Sequence, residues 1–248
     1  MMLRYERKYL VPNYMMDSLR NRVSTFVRPD TYAKQNEQGL YQYTVRSIYY
    51  DSRDLRFYKE KCDGVQFRRK FRIRGYDTYD PGNKVVFEIK RKIGNRIKKH
   101  RAFVWYRNLD TLFATGDVAQ FALKDKKIKD PASELSRFFY HLKKDQFQPT
   151  VLVVYEREAY HGKIDPGVRI TFDKNVRSRL YPKMHNLYDN NELKLLFNNH
   201  FILEIKYFTD EMPVWGRSLV QEFRLRHDAI SKYTIGVDVN MFKQIMTY

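Results

Sequence analysis

Apolar and polar residues alternate along several segments of the chain, which is the pattern of half-buried β-strands. In residues 84–92, "KVVFEIKRK", Phe87 and Ile89 fall on one face of a strand, whereas Glu88, Lys90 and Lys92 fall on the other. The same period of two appears in "FRRKFRIRG" (67–75), "TVLVVYEREAY" (150–160), "VRITFD" (168–173) and "FILEIKY" (201–207). The sequence therefore predicts a sheet with one apolar face and one charged face.

Residues 65–106 are predicted to form an antiparallel meander of three strands. The segment "VQFRRKFRIRGY" is followed by the turn-like "DTYDPGN", by "KVVFEIKRK", and then by "RIKKHRAFVWY" after a tight turn at Gly94 and Asn95. Short connections rich in Gly, Asn and Pro favour antiparallel pairing of consecutive strands.

Helical periodicity appears in three other places. Met15, Leu19 and Val23 are spaced as on one helix face after Pro12, and "MPVWGRSLVQEFRLRHD" (212–228) also predicts a helix. Residues 107–149 predict a helical insertion or cap. No fixed-length repeat or linker rich in Pro and Ser interrupts the chain, so we expect a single domain over residues 1–248.

The charged strand faces are unusual because they concentrate cations. Arg68, Lys70, Arg72 and Arg74 share one face of their strand, and Glu-x-Lys pairs recur on three other strands. These pairs are Glu6 and Lys8, Glu88 and Lys90, and Glu204 and Lys206; Arg157 and Arg169 occupy further strands. Like charges on neighbouring strands repel each other, so this pattern indicates a site that binds an anion.

The composition agrees with an anionic ligand. The 248 residues include 47 Lys plus Arg and 29 Asp plus Glu, a formal net charge of +18, which favours nucleic acid, an anionic membrane or a phosphate-rich molecule as partner. The single cysteine, Cys62, excludes an internal disulfide and argues against a structural zinc site. The sequence shows no signal peptide and no apolar run near the roughly 20 residues that cross a bilayer, so we expect a cytoplasmic protein.

A sheet closed into a barrel with its charged face inside would hold a linear polyanion. Arg side chains bind phosphate oxygens with two parallel hydrogen bonds, and Lys side chains act as point charges. A carboxylate beside phosphate is explained by a divalent metal, since Mg²⁺ or Mn²⁺ commonly bridges carboxylates and phosphates.

Several segments, in this order, resemble the catalytic domain of the vacuolar transporter chaperone (VTC) polyphosphate polymerases, which are triphosphate tunnel metalloenzymes. They are "ERKYLV", "SIYYDSRDLRFY", "KFRIRGY", "FEIKRK" followed by "KKHR", "YEREAY" with "VRITFD", "LEIKY" and the loop-like "SKY" at Lys232. The resemblance implies an α+β fold with a closed, eight-stranded antiparallel β-barrel, a charged interior and helices packed outside.

The resemblance also implies roles for individual residues. Those implied to be catalytic are Arg72, Arg74, Lys90, Arg157, Arg169 and Lys232. Those implied to bind phosphate are Lys8, Lys206 and, with the register open by one step, Lys99 or Arg101. Strand alternation adds Lys70 to the residues expected to bind phosphate. The implied metal ligand is Glu204, and the expected cofactor is Mn²⁺ or Mg²⁺. Glu6 and Glu88 are further candidate metal ligands, which in a hydrolase would help to hold the metal and orient the water.

One departure bears on the reaction. Hydrolytic relatives begin with Glu-x-Glu-x-Lys, whereas this chain has Arg4-x-Glu6-x-Lys8. One carboxylate fewer weakens a second metal site and favours a polymerase-like or binding role over a hydrolase. The function that we expect is a polymerase that transfers the γ-phosphate of ATP, or of another triphosphate, to polyphosphate. The alternatives are a metal-dependent triphosphatase and a non-catalytic domain that binds polyphosphate or inositol phosphates. We expect no nucleic acid partner, and the family implies a separate membrane protein partner, with the chain at the inner face of a membrane.

Overall fold

The computed structural model describes residues 5–93, 96–165 and 167–242. Arg4 and the predicted turn at Gly94 and Asn95 lie outside the described residues. The strands are β1 (Tyr5–Pro12), β2 (Val27–Pro29), β3 (Lys34–Gln35), β4 (Tyr41–Asp51), β5 (Phe67–Tyr76), β6 (Lys84–Ile93), β7 (Arg96–Trp105), β8 (Gln148–Gly162), β9 (Arg169–Leu180), β10 (Lys194–Leu195) and β11 (His200–Tyr207).

The sheet packs against α-helices. They are α1 (Met16–Ser24), α2 (Arg56–Cys62), α3 (Leu109–Thr115), α4 (Val118–Phe121), α5 (Pro131–Lys144), α6 (Val214–Glu222) and α7 (Lys232–Met241). Helices α3 to α5 lie within residues 107–149, and the role of this segment as an insertion or cap stays a prediction. Within the described part of the chain, no helix has both the length and the apolar character needed to cross a bilayer.

All strands belong to one antiparallel sheet with the order β1-β11-β9-β8-β4-β5-β6-β7, and the short strands β10, β2 and β3 pair with β9, β8 and β4. Strands β5, β6 and β7 form the predicted meander. The α+β class is therefore as predicted from the sequence.

The predicted closed barrel is wrong, because the sheet is open. Its path starts at β1 and ends at β7, and no ladder joins these two strands in the described residues. Other segments already occupy part of each edge: Tyr9 of β1 forms a bridge with His227, and Phe103 of β7 forms one with Leu123. A strand edge whose backbone groups are bonded elsewhere cannot use them to close a barrel.

The open sheet nevertheless curls. Lys90 Nζ on β6 lies 3.7 Å from Glu6 Oε2 on β1. Six strand spacings separate β1 from β6 along the sheet, which is about 29 Å if the sheet were flat. The contact between these side chains therefore requires strong curvature, with the charged side chains on the inside. We call this charged side the concave face.

The apolar side of the sheet packs against helices. Phe138 of α5 contacts Phe71 of β5 and Phe87 of β6, with ring centroids 5.6 and 5.1 Å apart. Leu19 of α1 and Leu219 of α6 are buried in a second cluster over β1, β9 and β11. Helix α5 begins at Pro131, where the Asp130 side chain accepts a hydrogen bond from Ser133 N.

Helix α7 departs from the prediction that helices pack only outside. It lies on the concave face, where Tyr233 packs on Tyr49 with ring centroids 5.4 Å apart. A Cβ atom at Gly236 would lie 3.0 Å from Val151 Cγ1 and 3.2 Å from Ser178 Oγ, so the close approach of helix and sheet favours glycine. Lys232, expected in a loop, is the first residue of this helix.

Candidate functional site

The pairing register brings the predicted site residues together. On the strands, all of them project from the concave face, and Lys232 contacts that face from α7. The cations are Lys8, Lys70, Arg72, Arg74, Lys90, Lys99, Arg101, Arg157, Arg169, Lys206 and Lys232. The carboxylates are Glu6, Glu88 and Glu204. Lys99 and Arg101 are two residues apart and pair with Lys90 and Glu88, so both line the face.

Glu88 organises two arginines. Its Oε1 accepts a short hydrogen bond from Arg72 Nη2, and its Oε2 accepts one from Arg101 Nε at 2.9 Å. Arg72 also donates to the Tyr49 hydroxyl at 3.1 Å. Burial alone would raise the pKa of Glu88, but Arg72 and Arg74 hold it well below its usual range. Glu88 therefore stays ionised and fixes the direction of both guanidinium groups.

A second buried cluster joins β8, β9 and α7. Asp173 accepts hydrogen bonds from Arg157 Nε at 2.6 Å, Arg157 Nη2 at 2.7 Å and Lys232 Nζ at 2.5 Å. Despite burial, which acts in the opposite direction, Arg157 and Lys232 lower the pKa of Asp173 to about 2. The sequence analysis gave Asp173 no role. The available signal was the alternation in "VRITFD" (168–173), which places Asp173 on the same strand face as Arg169.

The third cluster pairs the Glu-x-Lys motifs of β1 and β11. Glu6 lies opposite Lys206, and Lys8 lies opposite Glu204. Lys8 Nζ is 3.2 Å from Glu6 Oε1, and Lys206 forms a close ion pair with Glu204. Burial and Glu204 act to raise the pKa of Glu6, but the surrounding lysines lower it to about 2. Burial lowers the pKa of Lys206 to about 8 in spite of Glu204.

Three lysines form a row across the meander. Lys70 lies directly opposite Lys90, and Lys90 lies directly opposite Lys99. Lys70 Nζ donates to Ser231 Oγ at 2.8 Å. Burial, together with Lys8 and Lys90, holds the pKa of Lys70 well below its usual value. Adjacent like charges destabilise a sheet, and an anion bound among them would remove that cost.

Some buried donors on this face lack hydrogen-bond partners among the described residues. They include Arg72 Nε, Arg169 Nε and the Thr171 hydroxyl. Arg169 is held by a terminal nitrogen, since Nη2 donates to Asp30 Oδ2 at 2.8 Å and to the Tyr43 hydroxyl at 2.9 Å. A buried donor without a partner costs about 1–3 kcal/mol, so these groups favour a ligand rich in acceptor oxygens.

The carboxylates of this face would bind a metal ion only together with oxygen atoms of a bound ligand. In residues 5–93, 96–165 and 167–242, no group of three or more His, Cys, Asp or Glu side chains is arranged to hold a metal ion. Glu6 and Glu204 lie on neighbouring strands, and Glu204 Oε1 is buried without a hydrogen-bond donor beyond its ion pair with Lys206. Mg²⁺ often binds one or two carboxylates plus substrate phosphates, and this pair fits that pattern. Both oxygens of Glu88 already contact arginines.

Comparison with known proteins gives one family match. The family model described as the VTC domain matches residues 3–241. Among curated proteins, none matches the chain in sequence.

Two solved structures resemble this chain at low sequence identity, and the likeness to the first of them concerns the fold. HpAC1 from Hippeastrum, an adenylyl cyclase candidate described as having a dominant triphosphatase activity, is 13% identical, with a TM-score of 0.52 over 97% of each chain. The PH1819 protein from Pyrococcus horikoshii OT3 is 15% identical, with a TM-score of 0.46, over 94% of this chain and 99% of that chain.

Proposed function

The chain belongs to the VTC domain family, a family of triphosphate tunnel enzymes, and from this premise we propose that it elongates polyphosphate. In the proposed reaction, ATP lays its phosphates along the concave face and gives its γ-phosphate to the end of a polyphosphate chain. Mn²⁺ or Mg²⁺ assists, and ADP is the second product.

The observation that carries this proposal is the surplus of cations with unpaired donors on one curved face. Phosphate oxygens carry negative charge, which would neutralise the lysine row. They also accept hydrogen bonds, which Arg72 Nε and Arg169 Nε do not donate to any described residue. A row of phosphates supplies both at a regular spacing along the strands. This combination supports a linear polyphosphate or triphosphate more than a compact anion.

The transfer needs little covalent chemistry from the protein. A terminal oxygen of the polyphosphate attacks the γ-phosphorus, a new P–O bond forms, and the bond from the γ-phosphorus to the bridging oxygen of ADP breaks. Positioning and charge stabilisation dominate catalysis of such transfers. Arg72, held by Glu88, and Lys232, held by Asp173, are directed before substrate binds, so little reorganisation is needed.

Glu204, with Glu6, would hold the divalent metal at the edge of the phosphate row. When bound, the metal supplies positive charge that lets a carboxylate lie next to phosphate oxygens. Lys8 and Lys206 contact these carboxylates in the described structure and orient them toward the face. Glu88 instead accepts hydrogen bonds from Arg72 and Arg101.

The second candidate is a metal-dependent triphosphatase, in which water replaces the polyphosphate end as the nucleophile. It is favoured by the ionised Glu6 beside Glu204, a pair that would suit metal and water together. The triphosphatase activity described for HpAC1 belongs to that protein, and at 13% identity the likeness concerns the fold.

Product analysis separates these candidates. The purified protein is incubated with ATP and Mn²⁺, and products are resolved on a gel stained for polyphosphate while ADP and free phosphate are assayed. A growing ladder with matching ADP supports polymerisation. Free phosphate without a ladder supports hydrolysis. Absence of both, with tight binding of polyphosphate, identifies a binding domain and overturns the proposed reaction.

We also propose that the chain works with a separate membrane protein. Such a partner would receive polyphosphate from the chain at the inner face of a membrane. Copurification from detergent-solubilised membranes would test it.

A further inference from the structure

We propose that Tyr76, backed by Tyr43, is the platform on which the base of a bound nucleotide stacks, at the end of the concave face away from α7. The proposal rests on the proposed function, since it concerns the nucleoside part of the same triphosphate. It adds a binding site for an aromatic base that the charged residues do not provide.

The end of the concave face near α7 is occupied by protein. Ile230 O accepts a hydrogen bond from Lys8 Nζ of β1 at 3.1 Å, and Ser231 Oγ accepts one from Lys70 Nζ of β5. Lys232 reaches Asp173 of β9. Three consecutive residues therefore touch three strands, β1, β5 and β9, none of which is a direct neighbour of another in the sheet order. A bulky nucleoside at this end would have to displace the start of α7.

The other end of the face carries aromatic side chains. Tyr76 follows Arg72 and Arg74 on the same face of β5, and it is paired with Val45 of β4. Its ring meets that of Tyr43 edge to face, with centroids 5.9 Å apart. Tyr76 is 38% exposed, so part of this side chain remains open to a ligand. Offset or edge-on aromatic contacts of this kind keep a ring in place.

The platform lies next to the cations that would hold phosphates. The Tyr43 hydroxyl accepts a hydrogen bond from Arg169, and Arg74 Nε donates to Ser47 Oγ at 3.0 Å on the neighbouring strand. Tyr76 is two residues beyond Arg74, or roughly 7 Å along the strand. A nucleotide with its phosphates at Arg72 and Arg74 would thus place its base beside Tyr76.

A tyrosine face accepts every nucleobase, because each base has a stacking surface. The platform predicts that base stacking adds affinity with weak discrimination among ATP, GTP, CTP and UTP. Purines, which present the larger ring, should bind somewhat more tightly than pyrimidines.

The test compares two ligands that differ in the nucleoside. Calorimetric titrations of the full chain use a non-hydrolysable β,γ-imido analogue of ATP and inorganic tripolyphosphate, both with Mg²⁺. In Tyr76→Ala, affinity for the nucleotide analogue should fall about tenfold, the scale of one stacked base. Affinity for tripolyphosphate should stay within about twofold, and Tyr76→Trp should restore nucleotide binding.

The matched control is Tyr79→Ala. Tyr79 is also exposed and close in sequence, but its ring packs against Tyr106 and Tyr188, away from the concave face. An unchanged nucleotide affinity in Tyr76→Ala, or an equal loss for both ligands, would overturn the platform. The platform would also be overturned if the wild-type protein bound tripolyphosphate as tightly as the nucleotide analogue. Wild-type protein that binds neither ligand would overturn the proposed function and this inference together.

Discussion

Arg157 donates two hydrogen bonds to the Asp173 carboxylate, from Nε at 2.6 Å and from Nη2 at 2.7 Å. Both side chains are buried, and Lys232 of α7 reaches the same carboxylate. The pair links β8 to β9 at the point where α7 meets the sheet. A buried ion pair is costly to break, because the remaining charge lacks compensation.

Asp173→Ala should therefore destabilise the protein strongly. We expect a loss of about 3–5 kcal/mol in the free energy of unfolding, measured by urea denaturation, because Arg157 remains buried without its partner. Tripolyphosphate should recover part of this loss by supplying a replacement anion. The double variant Arg157→Ala/Asp173→Ala should lose less than the sum of the two single variants. Additive losses would show that the pair is not coupled.

Arg72→Ala should reduce turnover of ATP by roughly 10²–10³-fold, the scale seen when one preorganised donor to a transition state is removed. Lys34→Ala is the control, since this exposed lysine on β3 lies away from the concave face. Initial rates of ADP release provide the measurement, with thermal unfolding to confirm that each variant is folded. Equal rates in both variants would remove Arg72 from the site.

Glu204→Gln should remove the effect of metal on ligand binding. In the wild type, Mn²⁺ should tighten the binding of tripolyphosphate, because the metal bridges Glu204 and phosphate oxygens. Titrations with and without Mn²⁺ should give the same affinity in Glu204→Gln. Glu88→Gln should keep the enhancement, since Glu88 contacts Arg72 and Arg101. The opposite pattern would exchange the roles of the two carboxylates.

Binding of tripolyphosphate should weaken above about pH 8 because of Lys206. Burial lowers the pKa of this lysine to about 8, against the effect of Glu204 and Glu6. Bound phosphate favours the protonated ammonium and raises its pKa, so formation of the complex above pH 8 takes up protons. Calorimetry in buffers of different ionisation enthalpy measures that uptake. In Lys206→Arg, which stays protonated, uptake should be smaller; unchanged uptake would assign it to other groups.

The same lysine has a consequence for folding. Because the pKa of Lys206 is lower in the folded chain than its usual value of 10.5, the unfolded chain binds the proton more tightly. Its contribution to stability therefore increases as the pH rises from about 8 toward 10.5. Lys206→Met should remove this increase in urea denaturation curves recorded across that range.

Lys90→Met should make the protein more stable and its ligand binding weaker. Lys90 lies between Lys70 and Lys99 in the lysine row, and burial lowers its pKa. Removing the central charge relieves repulsion worth on the order of 0.5 kcal/mol in the free energy of unfolding. Urea denaturation and titration with tripolyphosphate give the two values. A loss of stability would mean that the contact of Lys90 with Glu6 outweighs the repulsion.

The sequence predicted the charged face well because alternation is a local property of each strand. Once a strand was recognised, the face of Arg72, Lys90 or Lys206 followed from the parity of its number. The family resemblance, confirmed by the VTC domain match, added Lys232. The individual roles of these residues, and the single domain over residues 1–248, stay predictions.

The sequence could not show whether the sheet closes, because this depends on segments that are distant along the chain. His227 bonds to the edge of β1, and Leu123 bonds to the edge of β7. Neither residue carries a local signal for such a bridge. Helix α7 was missed for a different reason. Its buried residues lie on most sides of the helix, so its sequence lacks the single apolar stripe by which a helix is recognised.

The open curl of the sheet also determines how a polymer can enter and leave. A polymer can enter a closed barrel of hydrogen-bonded strands only with one of its free ends first. Here β1 meets β6 through the Glu6 and Lys90 side chains, and no ladder joins β1 to β7 in the described residues. Separating an ion pair costs far less than separating two strands. If the chain elongates polyphosphate as proposed, the middle of a long polymer would enter the site from the side, and the product would leave without sliding its whole length past α7.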